Sequence, residues 1–428
     1  MSEDAGPRTP SGPAPTREFW RLLGYAAILG VFGAFAGLAF LGLTDFGAKW
    51  YGDPGLSWFE GPVWWIAVAA GAGLIVGILR RLFRLPTKTP GIIEDLESQH
   101  VDPKLTPAIV AVSGISLLGG ASLGPEVALG SMGGGAAGWI ARRRKLDDDA
   151  AKATTLGGIA GAFGGLFSSP LVAVLLVLEV ARPSRKVMGY AFFSSVVSTS
   201  AAFGIYFVIA GSVFLGIYKV PQYDYQDWHL LAGVALGLLA AVTVALTVVV
   251  HSLAERLFRR VKVPDLLLPV LGGLVFGAVG VMLPLTNFTG SDQLGTALQN
   301  ASTLGIGLLL ATLFGKMLTF AVSSASGFIG GPIFPILFIG GIMGIVVHQL
   351  FPEVPLGLSF TCMLAALPGA VVAAPFTMVL LAALLTQVGA IQTAPVLIAV
   401  ATASLAIAGV RSLLARRQKP SAPDTRHP

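Results

Sequence analysis

Apolar stretches recur along the whole chain, at about 20–45, 62–80, 107–120, 123–141, 154–181, 187–217, 229–258, 265–285, 303–325, 331–351, 357–386 and 391–411, with short polar connectors between them. An upright helical span of a bilayer needs roughly 20 apolar residues. Several stretches are shorter, and others run past that length with internal glycine or proline. The pattern therefore predicts an all-α, polytopic membrane protein that mixes tilted, broken and half-spanning helices. Backbone at the breaks has to face protein or an aqueous cavity, because lipid supplies no hydrogen bonds.

Two of the breaks match. Gly124-Pro125-Glu126-Val127-Ala128-Leu129-Gly130 resembles Gly331-Pro332-Ile333-Phe334-Pro335-Ile336-Leu337-Phe338-Ile339-Gly340 when Pro125 is set against Pro335, which also brings Gly130 onto Gly340 and Gly134 onto Gly344. Further on, Ser168-Ser169-Pro170 aligns with Ala373-Ala374-Pro375. The chain thus reads as two repeat halves, 17–225 and 226–412. Residues 1–16 and 413–428 carry the Pro, Ser, Gly and Ala bias of disordered tails. Paired interrupted apolar segments point to a solute site in mid-membrane, since broken helices aim their amide-bearing N-termini at it.

Composition agrees with the bilayer: 54% of residues are hydrophobic and 12% charged, and the mean hydropathy is +0.78. Most of the 54 glycines are explained by close helix packing, which small residues permit. Basic residues gather at Arg17–Arg21, Arg80–Arg84, Arg142–Lys145, Arg182–Lys186, Arg256–Lys262 and Arg411–Lys419, so these edges and both termini are expected to be cytoplasmic. The net charge of +6 is accordingly a topology signal and gives no support for a nucleic-acid partner. The single cysteine, Cys362, has no internal disulfide partner, and the scattered histidines suggest no metal site. Gly315-Lys316 lacks the rest of a phosphate-binding loop, so an ATP-driven pump is unsupported. Nothing in the pattern suggests a cofactor, catalytic residues or an enzyme.

A glycine-rich turn that opens a helix offers unpaired amides and the positive end of a dipole. Two such turns converging favour an anion over a cation. The residues here resemble the CLC family of chloride channels and proton-coupled anion antiporters. Gly120-Ala121-Ser122-Leu123-Gly124-Pro125 is similar to that family's G-R-E-G-P segment, Gly331-Pro332-Ile333-Phe334-Pro335 to its G-x-F-x-P segment, and Thr89-Pro90-Gly91-Ile92-Ile93-Glu94 to its G-S-G-I-P-E segment. Phe167-Ser168-Ser169-Pro170-Leu171 through Leu178-Glu179 is similar to its alanine-proline helix. Order and spacing agree over about residues 20–412. The resemblance implies an inverted repeat, a homodimer in the plasma membrane and one anion pathway per subunit, with chloride the default substrate. The expected anion contacts are mainly backbone: Ser122, Leu123, Gly124, Ile333 and Phe334, with Pro90 and Gly91 on the inner side.

The departures from the family pattern change the expected chemistry. Family transporters carry a gating glutamate where this chain has Leu123, and antiporters commonly carry an acidic proton relay where it has Val180. Neither side chain holds a proton, so anion movement without stoichiometric proton exchange is expected. Pro90 replaces a serine hydroxyl, a change that in relatives tends to favour nitrate, and Pro332 removes an amide donor. Every tyrosine lies at or before Tyr225, so the usual inner tyrosine ligand is missing.

Glu126, in the first turn after the first break, has two readings. It satisfies the free amides of its own helix, or it is a displaced gate in a proton-coupled chloride or nitrate antiporter. A CLC-shaped protein that no longer transports is the third reading of the chain. Lys316 is a lone cation inside a span that tunes the pathway, pairs with a carboxylate or snorkels to the interface. Glu94, Asp95 and Glu97 read as a helix start, Asp147–Asp149 as a linker that caps the next helix, and Ser168 and Ser169 as backbone partners at their break.

Overall fold

The polar punctuation of the sequence becomes helix ends. The computed structural model describes residues 16–51, 62–86, 88–211 and 216–418. Its helices are α1 (Arg17–Tyr51), α2 (Trp65–Leu82), α3 (Ile92–Ser98), α4 (Thr106–Leu118), α5 (Glu126–Arg144), α6 (Asp148–Leu166), α7 (Pro170–Ala181) and α8 (Arg185–Ala210). They continue as α9 (Trp228–Arg260), α10 (Leu268–Met282), α11 (Ser291–Gln299), α12 (Ile306–Ala325), α13 (Ile333–Leu350), α14 (Leu356–Val372), α15 (Pro375–Thr386) and α16 (Thr393–Gln418). Among the described residues seven are long and apolar enough to cross a membrane: α1, α2, α8, α9, α12, α13 and α16. The shorter apolar helices α4, α7, α10, α14 and α15 are the expected half-spans and broken segments.

Local chemistry accounts for the ends. The Asp147 side chain caps α6 by accepting the Ala150 N–H at 2.8 Å. Ser169 accepts from Val172 N–H at 3.4 Å, and Pro170 follows at the first helical position, where a missing N–H does no harm. Glu94 and Asp95 fall in the first turn of α3, as the helix-start reading expects. One boundary moves. Composition starts the C-terminal tail at 413, yet α16 continues to Gln418, because Arg411-Ser412-Leu413-Leu414-Ala415-Arg416-Arg417-Gln418 consists mostly of strong helix formers. The remainder of the predicted tails, 1–15 and 419–428, lies outside the described residues.

The described helices cluster into two packing units. One holds described residues of segments 1–38, 94–106 and 129–212, the other those of 39–93, 107–128 and 213–428. In the first, α6 lies on α8 through small residues: Gly157, Gly161 and Gly164 leave no room for a Cβ against Ser194, Ser198 and Thr199. Such a seam lets two backbones approach closely enough for dispersion to hold them without a hydrophobic driving force. Val180 is buried in the last turn of α7 in this unit.

The second unit repeats the device between α2 and α10. Gly73 and Gly77 sit against the backbone of Pro269 and Leu266, while Gly273 and Gly277 sit against Ala69 and Ile66. Around this pair α12 packs on α9, α10 and α13, and α14 packs on α9, α13, α15 and α16. Cys362 is a free, fully buried thiol within α14. All of the residues that flank the two glycine-proline breaks belong to this unit.

Candidate functional site

The site begins with two prolines that stop one conformation and start another. Pro125 and Pro332 each immediately precede the first residue of a helix, Glu126 of α5 and Ile333 of α13. Immediately before them, Gly124 and Gly331 form an isolated antiparallel bridge, each N–H donating to the other's carbonyl at 2.7 Å. The two breaks are thus paired to each other through their backbones, next to the first residues of α5 and α13.

Glu126 lies at this convergence and is 0% exposed. Its Oε1 accepts the Phe334 N–H at 3.2 Å, and the amides of Ile333 and of Glu126 itself are also directed at the carboxylate. No donor among the described residues reaches Oε2. A Cβ at either Gly124 or Gly331 would overlap the carboxylate, so these glycines are needed for space. The donors are few by construction. Of the residues opening α13, Pro332 and Pro335 have no N–H, and the Ile336 N–H already donates to Pro332 O at 3.1 Å. Ile333 and Phe334 are left as the orphan amides of the first turn, and both are turned to Glu126. The carboxyl group thus does more than satisfy its own helix: it is held at the positive end of α13.

The amides expected on the other side are differently engaged. Ser122 N–H donates to Ser323 Oγ at 3.2 Å, Leu123 N–H to Ala121 O at 2.8 Å, and Gly124 N–H to Gly331 O. Buried backbone in a loop has to find partners, and in this conformation these three find protein acceptors. Ser122 and Leu123 are buried with Ile333 and Phe334, so the structure brings together every site residue predicted from the two breaks. Pro90 and Gly91 precede α3 and are half-buried, with open space where a Gly91 Cβ would stand. Val180 belongs to the first packing unit.

Residues outside the motifs hold the breaks in place. Ser116 Oγ on α4 accepts the Ile329 N–H at 3.1 Å, and Phe288 N–H donates to Gly120 O at 3.1 Å. Gly120 has φ +80, and its missing Cβ leaves room for the Trp65 ring that packs on Phe288. Lys316 does not snorkel, and among the described residues it meets no carboxylate. It is 0% exposed, and its ammonium donates to Phe288 O at 2.8 Å, Thr286 O at 3.2 Å and Asn287 O at 3.4 Å, with Nζ 5.0 Å from the Phe338 ring centroid. Thr319 adds a bond to Thr286 O at 3.3 Å. Lys316, Thr319 and Ser323 share one buried polar stripe of α12 at helical spacing, which ties the 286–288 turn and the Ser122 break to the same helix. That spacing is a readable signal, since Thr312, Lys316, Thr319 and Ser323 recur at helical spacing on one face of a mainly apolar span.

A family model described as "Voltage gated chloride channel" matches residues 72–408. A protein of Salmonella newport (strain SL254) named "Putative ion-transport protein YfeO" is 29% identical over 314 residues, 71% of this chain and 74% of that protein. Its counterpart in Salmonella schwarzengrund (strain CVM19633) matches to the same extent. Among solved structures, a slow cyanobacterial Cl−/H+ antiporter superposes with a TM-score of 0.79 at 21% identity, covering 93% of this chain and 98% of that one. A CLC-type fluoride/proton antiporter gives 0.73 at 20% identity, covering 91% and 94%. The fold of the chain is that of these proteins.

Proposed function

The chain belongs to the voltage gated chloride channel family, and on that premise we propose that it carries small inorganic anions, chloride by default, through the convergence of the Gly124 and Gly331 breaks. The observation that supports this most is the seat of Glu126. A fully buried carboxylate held by the first-turn amides of α13 marks a place built to accept negative charge. An anion using the same donors competes with the carboxylate, so Glu126 acts as a tethered gate and leaves when the anion arrives. Leu123 and Val180 are both buried and apolar, which supports conduction down a gradient without stoichiometric proton exchange. Ser122, Leu123, Gly124, Ile333 and Phe334 line the proposed pathway, with Pro90 and Gly91 on its inner side. The functional unit in this reading is a homodimer in the cell membrane with both termini cytoplasmic.

A second reading, a proton-coupled chloride or nitrate antiporter, is favoured by the same seat, because Glu126 is a protonatable group within the pathway. Chloride efflux from proteoliposomes tests the gate. Glu126→Gln keeps the shape and removes the charge that competes with the anion. It is expected to raise efflux about threefold or more and to flatten its pH dependence, because a larger fraction of molecules is open. Wild-type efflux and pH dependence in the variant would remove Glu126 as the gate.

A further inference from the structure

A cavity of about 550 Å³ opens at the arginine end of α2, lined among others by Arg80, Arg81, Arg84, Asp265, Ser326 and Gly327. Three arginines against one aspartate leave its wall positive. Arg80 serves the architecture: its guanidinium donates to Pro86 O at 2.8 Å, Gly327 O at 3.1 Å and Thr89 Oγ1 at 3.3 Å. Thr89 leads directly into Pro90-Gly91, and Gly327 into the segment that reaches Gly330 and Gly331. The cavity is therefore bounded by a clamp that joins the two connections running into the breaks. Gly327 has φ +101, a conformation that suits glycine and turns its carbonyl to the clamp.

Basic residues at the end of a span are ordinarily a topology signal, and by itself the run Arg80-Arg81-Leu82-Phe83-Arg84 is no more than that. The cavity adds what the signal does not require. Arg81 and Arg84, both exposed, line a half-open cavity whose wall includes Ser326 and Gly327, at the start of the connection to Gly331, and Arg80, whose guanidinium holds that connection to Pro86 and Thr89. A cleft of one sign with low-dielectric walls concentrates counter-ions and speeds their capture by roughly 10- to 1,000-fold. We infer that this cavity is an antechamber of the anion pathway, in which the charges of Arg81 and Arg84 gather small inorganic anions ahead of the breaks. The inference rests on the anion-transport reading and adds to it a mouth and the two residues that load it.

The test uses the full chain in vesicles of neutral phosphatidylcholine. Chloride efflux is compared for wild type, Arg81→Gln/Arg84→Gln and Arg81→Glu/Arg84→Glu at about 20 mM and about 500 mM salt. Both side chains are exposed, and an unchanged elution profile confirms that the variants fold. The neutral pair is expected to slow efflux about threefold or more at low salt, the acidic pair further still, and both are expected to approach wild type at high salt, where the screening length falls to a few Å. Equal efflux of all three at low salt overturns the antechamber, as does an equal loss at both salt concentrations, which indicates a structural contribution. Vesicles containing an anionic phospholipid provide the other arm. Arginine-dependent slowing that appears only there assigns the cavity to a phosphate headgroup and overturns the proposal. Wild-type protein without efflux removes the transport reading itself, whereas wild-type efflux with unaffected variants removes only this inference.

Discussion

Glu126 and Leu123 show how a single residue's meaning depends on its surroundings. The sequence places a leucine where the resembled family has a gating acid and a glutamate three residues later. By itself that arrangement admits both helix capping and gating. The structure adds a contact that the sequence does not show: the Glu126 carboxylate reaches across to the Phe334 amide of α13 and fills space that Gly124 and Gly331 leave open. Lys316 is similar: one lysine in an apolar span predicts a costly charge, and only the fold shows the turn that takes it up. Replacing it by methionine removes a donor from three buried carbonyls, of which Thr286 O keeps the Thr319 hydroxyl, and each group left unsatisfied costs about 1–3 kcal/mol. Lys316→Met is therefore expected to lose about 3 kcal/mol or more, seen as a lowered melting temperature in detergent. An unchanged melting temperature would show that the 286–288 turn does not depend on the ammonium.

At the scale of elements, the apolar stretches anticipated the helices closely, including the double ones: 154–181 divides into α6 and α7, and 357–386 into α14 and α15, each at a proline. Proline and the caps beside it act locally, so their effect is legible in the chain. Packing seams are less so. Glycines were expected at helix contacts, but which glycine meets which helix depends on residues far away in the sequence. The α6–α8 seam makes this testable. A side chain at Gly161 would overlap the Ser198 side chain, with the Gly30 Cα 3.2 Å from where its Cβ would stand. Gly161→Val is expected to destabilise the protein by about 1–3 kcal/mol, measured by thermal unfolding in detergent. A neutral result would mean that the two helices separate readily. The pairing of the two breaks was likewise beyond the sequence, since the repeat match aligns Pro125 with Pro335 but does not show that the Gly124 and Gly331 backbones meet.

For the whole molecule, the proposed mode of transport predicts a clear outcome. With Leu123 and Val180 both apolar, an imposed chloride gradient across proteoliposomes is expected to drive no uphill proton movement, recorded with an internal pH dye. Sustained proton movement against its own gradient would establish the antiporter reading. The sequence by itself determined the bilayer as solvent, the helical class and the positions of the breaks, because hydrophobic run length, proline and glycine act through local physics, and the resemblance of its motifs gave the family and the apolar replacements. The tertiary structure alone decided which donors remain. First-turn amides find partners only relative to neighbours, so the engagement of Ser122 and Gly124, the turn of Ile333 and Phe334 toward Glu126, and the arginine cavity follow from contacts between segments far apart in the chain.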